Sequence, residues 1–288
     1  MRTIMLLFIM LLPISVFADY NSDGFMQSGS SDDSRKFEND DITITVLNTF
    51  SCYYSQHILG LDFSSDSSNL LFVSNLDNML YICNPDNGNM ISGISLNYAT
   101  DPHPWGVCVD GAGNRYLNDF TESYIYWRGT SGWYFMDNPA GKYGHGMDFD
   151  GSRIWETYDF LPNKIVSFNT DGSGVQFHEI PELGSECPSG LTTFPYGSDM
   201  GLVVTSYDSH YFYFYSFDGL SLTSLGFVSC PLPCEGSIGL TYSSIRDTFF
   251  WSYKDTSDDY WITELNIEIT GTALMPVTWG SIKTTDFN

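Results

Sequence analysis

Apolar positions along this chain fall in short runs broken by Gly, Asn, Asp or Ser, and no helical period of 3.6 is sustained. The stretch Ile58 to Gly88, ILGLDFSSDSSNLLFVSNLDNMLYICNPDNG, sets the pattern. It contains a glycine-led apolar run, a Ser/Asp turn, a second run, a polar break, and a third run closed by Pro85-Asp86-Asn87-Gly88. Three consecutive antiparallel strands are predicted.

Four further copies follow, anchored on Gly106, Gly146, Gly190 and Gly239, so that the glycines from Gly60 onward lie 46, 40, 44 and 49 residues apart. Second strands are expected at LLFVSN, NRYLND, RIWETY, GLVVTS and TFFWSY, and third strands at MLYICN, YIYWRG, KIVSFN, YFYFYS and YWITEL. Fourth, outer strands are expected in places such as Met90 to Leu96 and Ser221 to Val228. A period in this range with four strands per unit predicts an all-β chain folded as a single β-propeller of five four-stranded blades. The alternative is six blades with one degenerate. Ile42 to Phe50 alternates as an outer strand would, while Thr272 to Trp279 reads as the last unit's own outer strand, leaving one strand surplus. Unbroken apolar runs such as Tyr211 to Tyr215 fit inner strands buried on both faces.

The second unit, Pro104-Trp105-Gly106-Val107-Cys108-Val109-Asp110-Gly111-Ala112-Gly113-Asn114-Arg115-Tyr116, resembles the NHL repeat, and the first is closer to YVTN-type repeats. Units four and five lack the Asp-x-x-Gly-Asn turn of that pattern. The resemblance implies a propeller. It also implies that imidazoles from separate blades could hold a metal at the channel mouth, as in some lyases built on related propellers.

The ends add a cellular address. The apolar run from Ile4 to Phe17, followed by Ala18, reads as a signal peptide over residues 1–18, too short for the roughly 20 residues that span a bilayer. Residues 19–41, rich in Ser, Asp and Gly, read as a disordered acidic spacer, and 42–288 as the propeller domain. The expectation is a secreted protein, extracellular or periplasmic, monomeric and without a membrane anchor. With 11 basic against 35 acidic residues, its field repels phosphate backbones and disfavours nucleic acid as a partner. Six cysteines in an oxidising compartment favour a structural disulfide within or near Cys230-Pro-Leu-Pro-Cys234, with Cys108 read as a buried thiol inside a strand.

Candidate chemistry gathers where each unit enters its first strand. His57 and His103 stand three residues before Gly60 and Gly106, His145 stands one before Gly146, and Cys187 stands three before Gly190. Two readings follow. In the first, a binding module presents His57, His103, Trp105 and His145 at the channel mouth to a protein or glycan, and no cofactor is needed. In the second, a lyase or hydrolase uses His57, His103 and His145 as ligands of a divalent metal. Asp62, Asp148, Asp110 and Asp150 could supply paired carboxylates for glycoside hydrolysis, but Asp near strand ends more often caps turns. No nucleophile elbow, zincin helix or phosphate-binding loop occurs.

Overall fold

A computed structural model describes residues 41–159 and 164–270. The expected signal peptide, all of the spacer but Asp41, and the strand expected at Thr272 to Trp279 lie outside the described residues. The described chain is a ring of five four-stranded antiparallel sheets. The first strand, β1 (Ile42–Phe50), is held back for the last blade. Blade I is β2 (Leu61–Phe63), β3 (Leu70–Ser74), β4 (Met79–Cys83) and β5 (Met90–Ser95). Blade II is β6 (Pro104–Val109), β7 (Arg115–Asp119), β8 (Tyr124–Gly129) and β9 (Gly132–Asp137). Blade III is β10 (Gly144–Phe149), β11 (Ile154–Tyr158), β12 (Lys164–Phe168) and β13 (Gln176–Glu179). Blade IV is β14 (Pro188–Tyr196), β15 (Asp199–Ser206), β16 (Tyr211–Phe217) and β17 (Leu222–Ser229), and blade V is β18 (Gly236–Ser243), β19 (Thr248–Lys254), β20 (Tyr260–Ile269) and β1.

Five blades are therefore present, and the surplus strand has a place. β1 pairs antiparallel with β20 from Ile42 opposite Ile269 to Phe50 opposite Ile262, so the start of the propeller completes its final blade. The seam continues past the strand ends, where Thr270 N donates to Asp41 O at 2.6 Å.

The core lies between blades rather than within one. On β16, Phe212 and Phe214 pack toward Leu240, Phe249 and Trp251 of blade V, while Tyr213 and Tyr215 pack toward Trp155 and Ile165 of blade III. Successive side chains of a strand point to opposite faces, and here both faces are dry. That is why the run Tyr211 to Tyr215 shows no polar alternation.

The five anchor glycines form an inner ring. A Cβ on Gly60 would lie 2.6 Å from Trp105 O and 2.7 Å from Gly106 Cα, and one on Gly190 would lie 2.7 Å from Ile238 O and 2.8 Å from Leu240 N. Gly106 meets His145 O, Gly146 meets Leu191 N, and Gly239 returns to Leu59 O. Inner strands thus touch backbone to backbone, and only residues without a side chain allow that approach. Polar side chains on the second strands stitch the ring. Asn118 accepts from Gly106 N and donates to His145 O across the blade boundary at 2.8 Å. Thr157 does the same between Gly146 N and Ser189 O, and Ser252 between Gly239 N and Leu59 O. Blade I carries Val73 at this place, and Gly60 N donates directly to Trp105 O at 2.8 Å.

Because neighbouring strands run in opposite directions, the links into each inner strand and the turns joining second to third strands share one face of the ring. The turns joining first to second and third to fourth strands share the other.

Candidate functional site

The residues singled out before the inner strands have three separate surroundings. Trp105 and His145 are brought together. Their rings lie 5.2 Å apart, each packs on Phe120, and they are 2% and 0% exposed. His145 Nδ1 sits 2.6 Å from Pro188 O, which can only accept, so this nitrogen carries the proton. Cys187 Sγ lies 3.8 Å from the same nitrogen. Burial holds the imidazole below its ordinary pKa, in the neutral form. The pair is part of the wall between blades II and III.

His103 is on the surface. Its backbone N donates to Asp119 Oδ2 at 2.8 Å and its ring Nε2 lies 3.3 Å from Asp101 Oδ2. His57 is half-buried, stacked on Tyr260 with ring centroids 5.0 Å apart, and its Nδ1 donates to Asn75 Oδ1 at 2.7 Å. That bond leaves Nε2 with a lone pair. The geometry does not gather the three imidazoles, and among the described residues no three His, Cys, Asp or Glu side chains are disposed to hold a metal ion.

The carboxylates are likewise spoken for. Asp110 and Asp150 cap their own turns through Ala112 N, Asn114 N, Ser152 N and Arg153 N. Asp62 reaches into blade II to accept from Val109 N at 2.6 Å, and Asp148 reaches into blade IV to accept from Thr193 N at 2.7 Å. Burial pushes the Asp148 carboxyl up to about 6; Asp62 is also raised, by burial and then by the charge of Asp148. Both act as clips between inner strands.

What stays open is a cleft of about 690 Å³ beside His57, on the face that carries the links. One wall is the link after β1, with Ser51, Cys52, Tyr53, Ser55, Gln56 and His57; the other is the β19–β20 turn, with Lys254, Asp258, Asp259, Tyr260 and Trp261. Tyr53 is 86% exposed. Asp255 shapes the turn by accepting from Ser257 N and Asp259 N and fixes the Trp261 indole through Nε1 at 2.8 Å. Lys254 pairs with Asp258 at 2.8 Å, and Asp259 leaves the rim with one carboxylate in excess. A repeat-equivalent cleft of about 560 Å³ lies one blade back, lined by His210, Tyr211, Pro231, Leu232 and both cysteines of the Cys230–Cys234 loop.

Of the residues lining this cleft, the sequence singles out His57 and none of its neighbours. The two walls come from irregular connectors some two hundred residues apart, with no motif to relate them. The available signal was topological, since counting strand directions puts both connectors on one face. All six cysteines stand as free thiols, and no disulfide lies at bonding distance within or near the Cys230–Cys234 loop, where one was expected. Cys108 is the buried strand thiol that was expected.

No protein-family description matches this chain, and no curated protein matches it. Solved structures do. Glutaminyl cyclase from Myxococcus xanthus is 12% identical with a TM-score of 0.58, covering 79% of this chain and 97% of its own. A nidogen/laminin complex is 14% identical with a TM-score of 0.50, over 68% and 72%. Virginiamycin B lyase from Staphylococcus aureus is 18% identical with a TM-score of 0.47, over 77% and 73%. At these identities the likeness to the first two is one of fold alone, and it agrees with the strand order: the chain is a five-bladed β-propeller repeat protein.

Proposed function

We propose that this protein is a secreted, monomeric binding module whose protein or glycan ligand docks in the cleft between the link after β1 and the β19–β20 turn. The observation that carries the reading is the composition of that cleft. Tyr53, the stacked His57–Tyr260 pair and Trp261 offer ring faces, and Gln56, Lys254, Asp258 and Asp259 offer hydrogen-bonding groups around them. A concave site with ring surfaces and a few placed polar groups suits a small ligand or an anchoring side chain. Sugar rings, with apolar C–H faces and hydroxyl edges, fit that description. A similar propeller occurs in a complex of nidogen with laminin, so the scaffold also accommodates protein recognition. Outside the cell, Cys52 with Cys83 and Cys230 with Cys234, buried thiols near enough to shift each other's ionisation, are the pairs placed to oxidise.

Glycan-array and protein-capture screening of the secreted chain, repeated with Tyr53→Ala and His57→Ala, tests the assignment. Retained folding with affinity at least roughly 10-fold weaker in each variant is expected, about 1.4 kcal/mol per lost contact. Binding unchanged in both variants would move the site elsewhere. Stoichiometric metal in the purified protein, lost on replacing His57, His103 and His145 together, would favour the metal-dependent lyase or hydrolase reading instead.

A further inference from the structure

Blade II carries a pair of cations that the fold itself does not explain. Arg115 on β7 and Arg128 on β8 stand directly opposite each other in the strand register. Like charges in that relation destabilise a sheet unless something lies between them. In a chain with 35 acidic residues a carboxylate partner would be easy to supply: Arg246 bonds Asp86 and Glu264, and Lys254 bonds Asp258, while Arg153 is satisfied by the carbonyls of Ser167 and Gly174. Among the described residues neither Arg115 nor Arg128 makes an ion pair. The acid nearest in sequence, Asp110, commits its oxygens to Ala112 N, Asn114 and the Tyr116 hydroxyl.

The surroundings are shaped as well as charged. Arg115 is half-buried, and its Nε is enclosed with no hydrogen-bond partner. The Arg128 guanidinium lies over the Trp133 ring, 5.4 Å from its centroid, which fixes its plane. Cross-strand pairing of Arg128 with Trp133 puts the two arginines and the indole on one face of the blade. Burial, and then the charge of Arg128, lower the Arg115 pKa, although it stays cationic.

We propose that Arg115 and Arg128 form an anion-binding site for a small ligand bearing one oxyanion group, carboxylate, sulfate or phosphate, with Trp133 as the flanking ring. Guanidinium forks match such oxygens two at a time. The net charge of -24 limits the class to small ligands, because a polyanion would be repelled long before contact. The site is separate from the cleft at His57, so either assignment can fail without the other.

The test uses the full chain with benzoate, sulfate and inorganic phosphate, each against sodium chloride at equal ionic strength, read by Tm and tryptophan fluorescence. A saturable rise in Tm with at least one probe is expected, lost in Arg115→Met and Arg128→Met. Preference for benzoate identifies a carboxylate site, and preference for sulfate or phosphate a tetrahedral one. Removing one charge relieves repulsion, so each variant without anion is expected to melt at or above the parent temperature. Arg115→Lys, which keeps the charge and loses the fork, guards against misfolding of the Met variant and is expected to bind about 10-fold more weakly. Shifts no larger than with chloride, or shifts retained in both Met variants, overturn the proposal. So does a Met variant that folds but melts well below the parent, since that marks a structural arginine.

Discussion

At Gly190 one methyl group meets only backbone, with Ile238 O, Leu240 N and Gly239 C all within 2.9 Å of where it would sit. None of these can swing aside as a side chain would. Gly190→Ala is expected to cost on the order of 2–4 kcal/mol by overpacking and displaced strands, or to prevent ring closure. Gly111→Ala, where nothing lies within 4 Å, is expected to stay within about 0.5 kcal/mol in the same denaturant titration. Glu156 gives a second residue-scale outcome. It is 0% exposed, accepts from Asn118 Nδ2 and Asn138 Nδ2, and burial pushes it from 4.5 up to about 7. A folded-state pKa above the unfolded one means that the folded protein prefers the proton. Its contribution is then full below pH 4.5 and is lost as pH rises through about 7. Asp148, raised to about 6, acts with the same sign, whereas His145, held below 6.5, weakens the fold as pH falls beneath that value. Glu156→Gln keeps the acceptor and removes the charge, so it should flatten the loss of Tm between pH 5 and 8 and raise stability at pH 8 by up to ~3 kcal/mol. An unchanged pH profile in the variant would count against this assignment.

Strands differ in how much of their role can be read from residues alone. The inner three of each blade were legible because glycine entry, turn chemistry and apolar runs recur together; Gly88 and Gly172, placed in turns by that reading, adopt φ of 70° and 82°. The doubly buried β16 was legible for the same reason. Phe214→Ala, at a position 0% exposed, is expected to cost roughly 3–5 kcal/mol, against less than about 0.5 kcal/mol for Phe135→Ala on the outer strand β9, where the ring is 67% exposed. Chemical denaturation of the two variants makes the comparison. The polar latches were not legible, because Asn118, Thr157 and Ser252 are ordinary strand residues until the neighbouring blade supplies the carbonyl each one reaches. The same holds for Asp62 and Asp148, whose partners lie in the next blade.

Over the whole molecule, local pattern specified the blade and the repeat, while the site depends on which connectors the ring brings side by side. His57 stands out in the sequence because it precedes a repeat glycine; Tyr53 and Trp261 carry no such mark and meet only when blade V closes against blade I. That closure sets an order in time. Because β1 pairs with β20, the first strand of the propeller to be synthesised is the last to be paired. At roughly 5–20 residues per second, Ile42 to Phe50 waits some tens of seconds for Tyr260 to Ile269 to emerge, with its sheet edges unpaired. A circular permutant that joins Thr270 to Asp41 by a short turn and opens the chain between Cys52 and Ile58 turns this long-range pairing into a hairpin. It should refold faster than the parent with less aggregation at equal concentration, and equal rates would mean that ring closure is not the slow step.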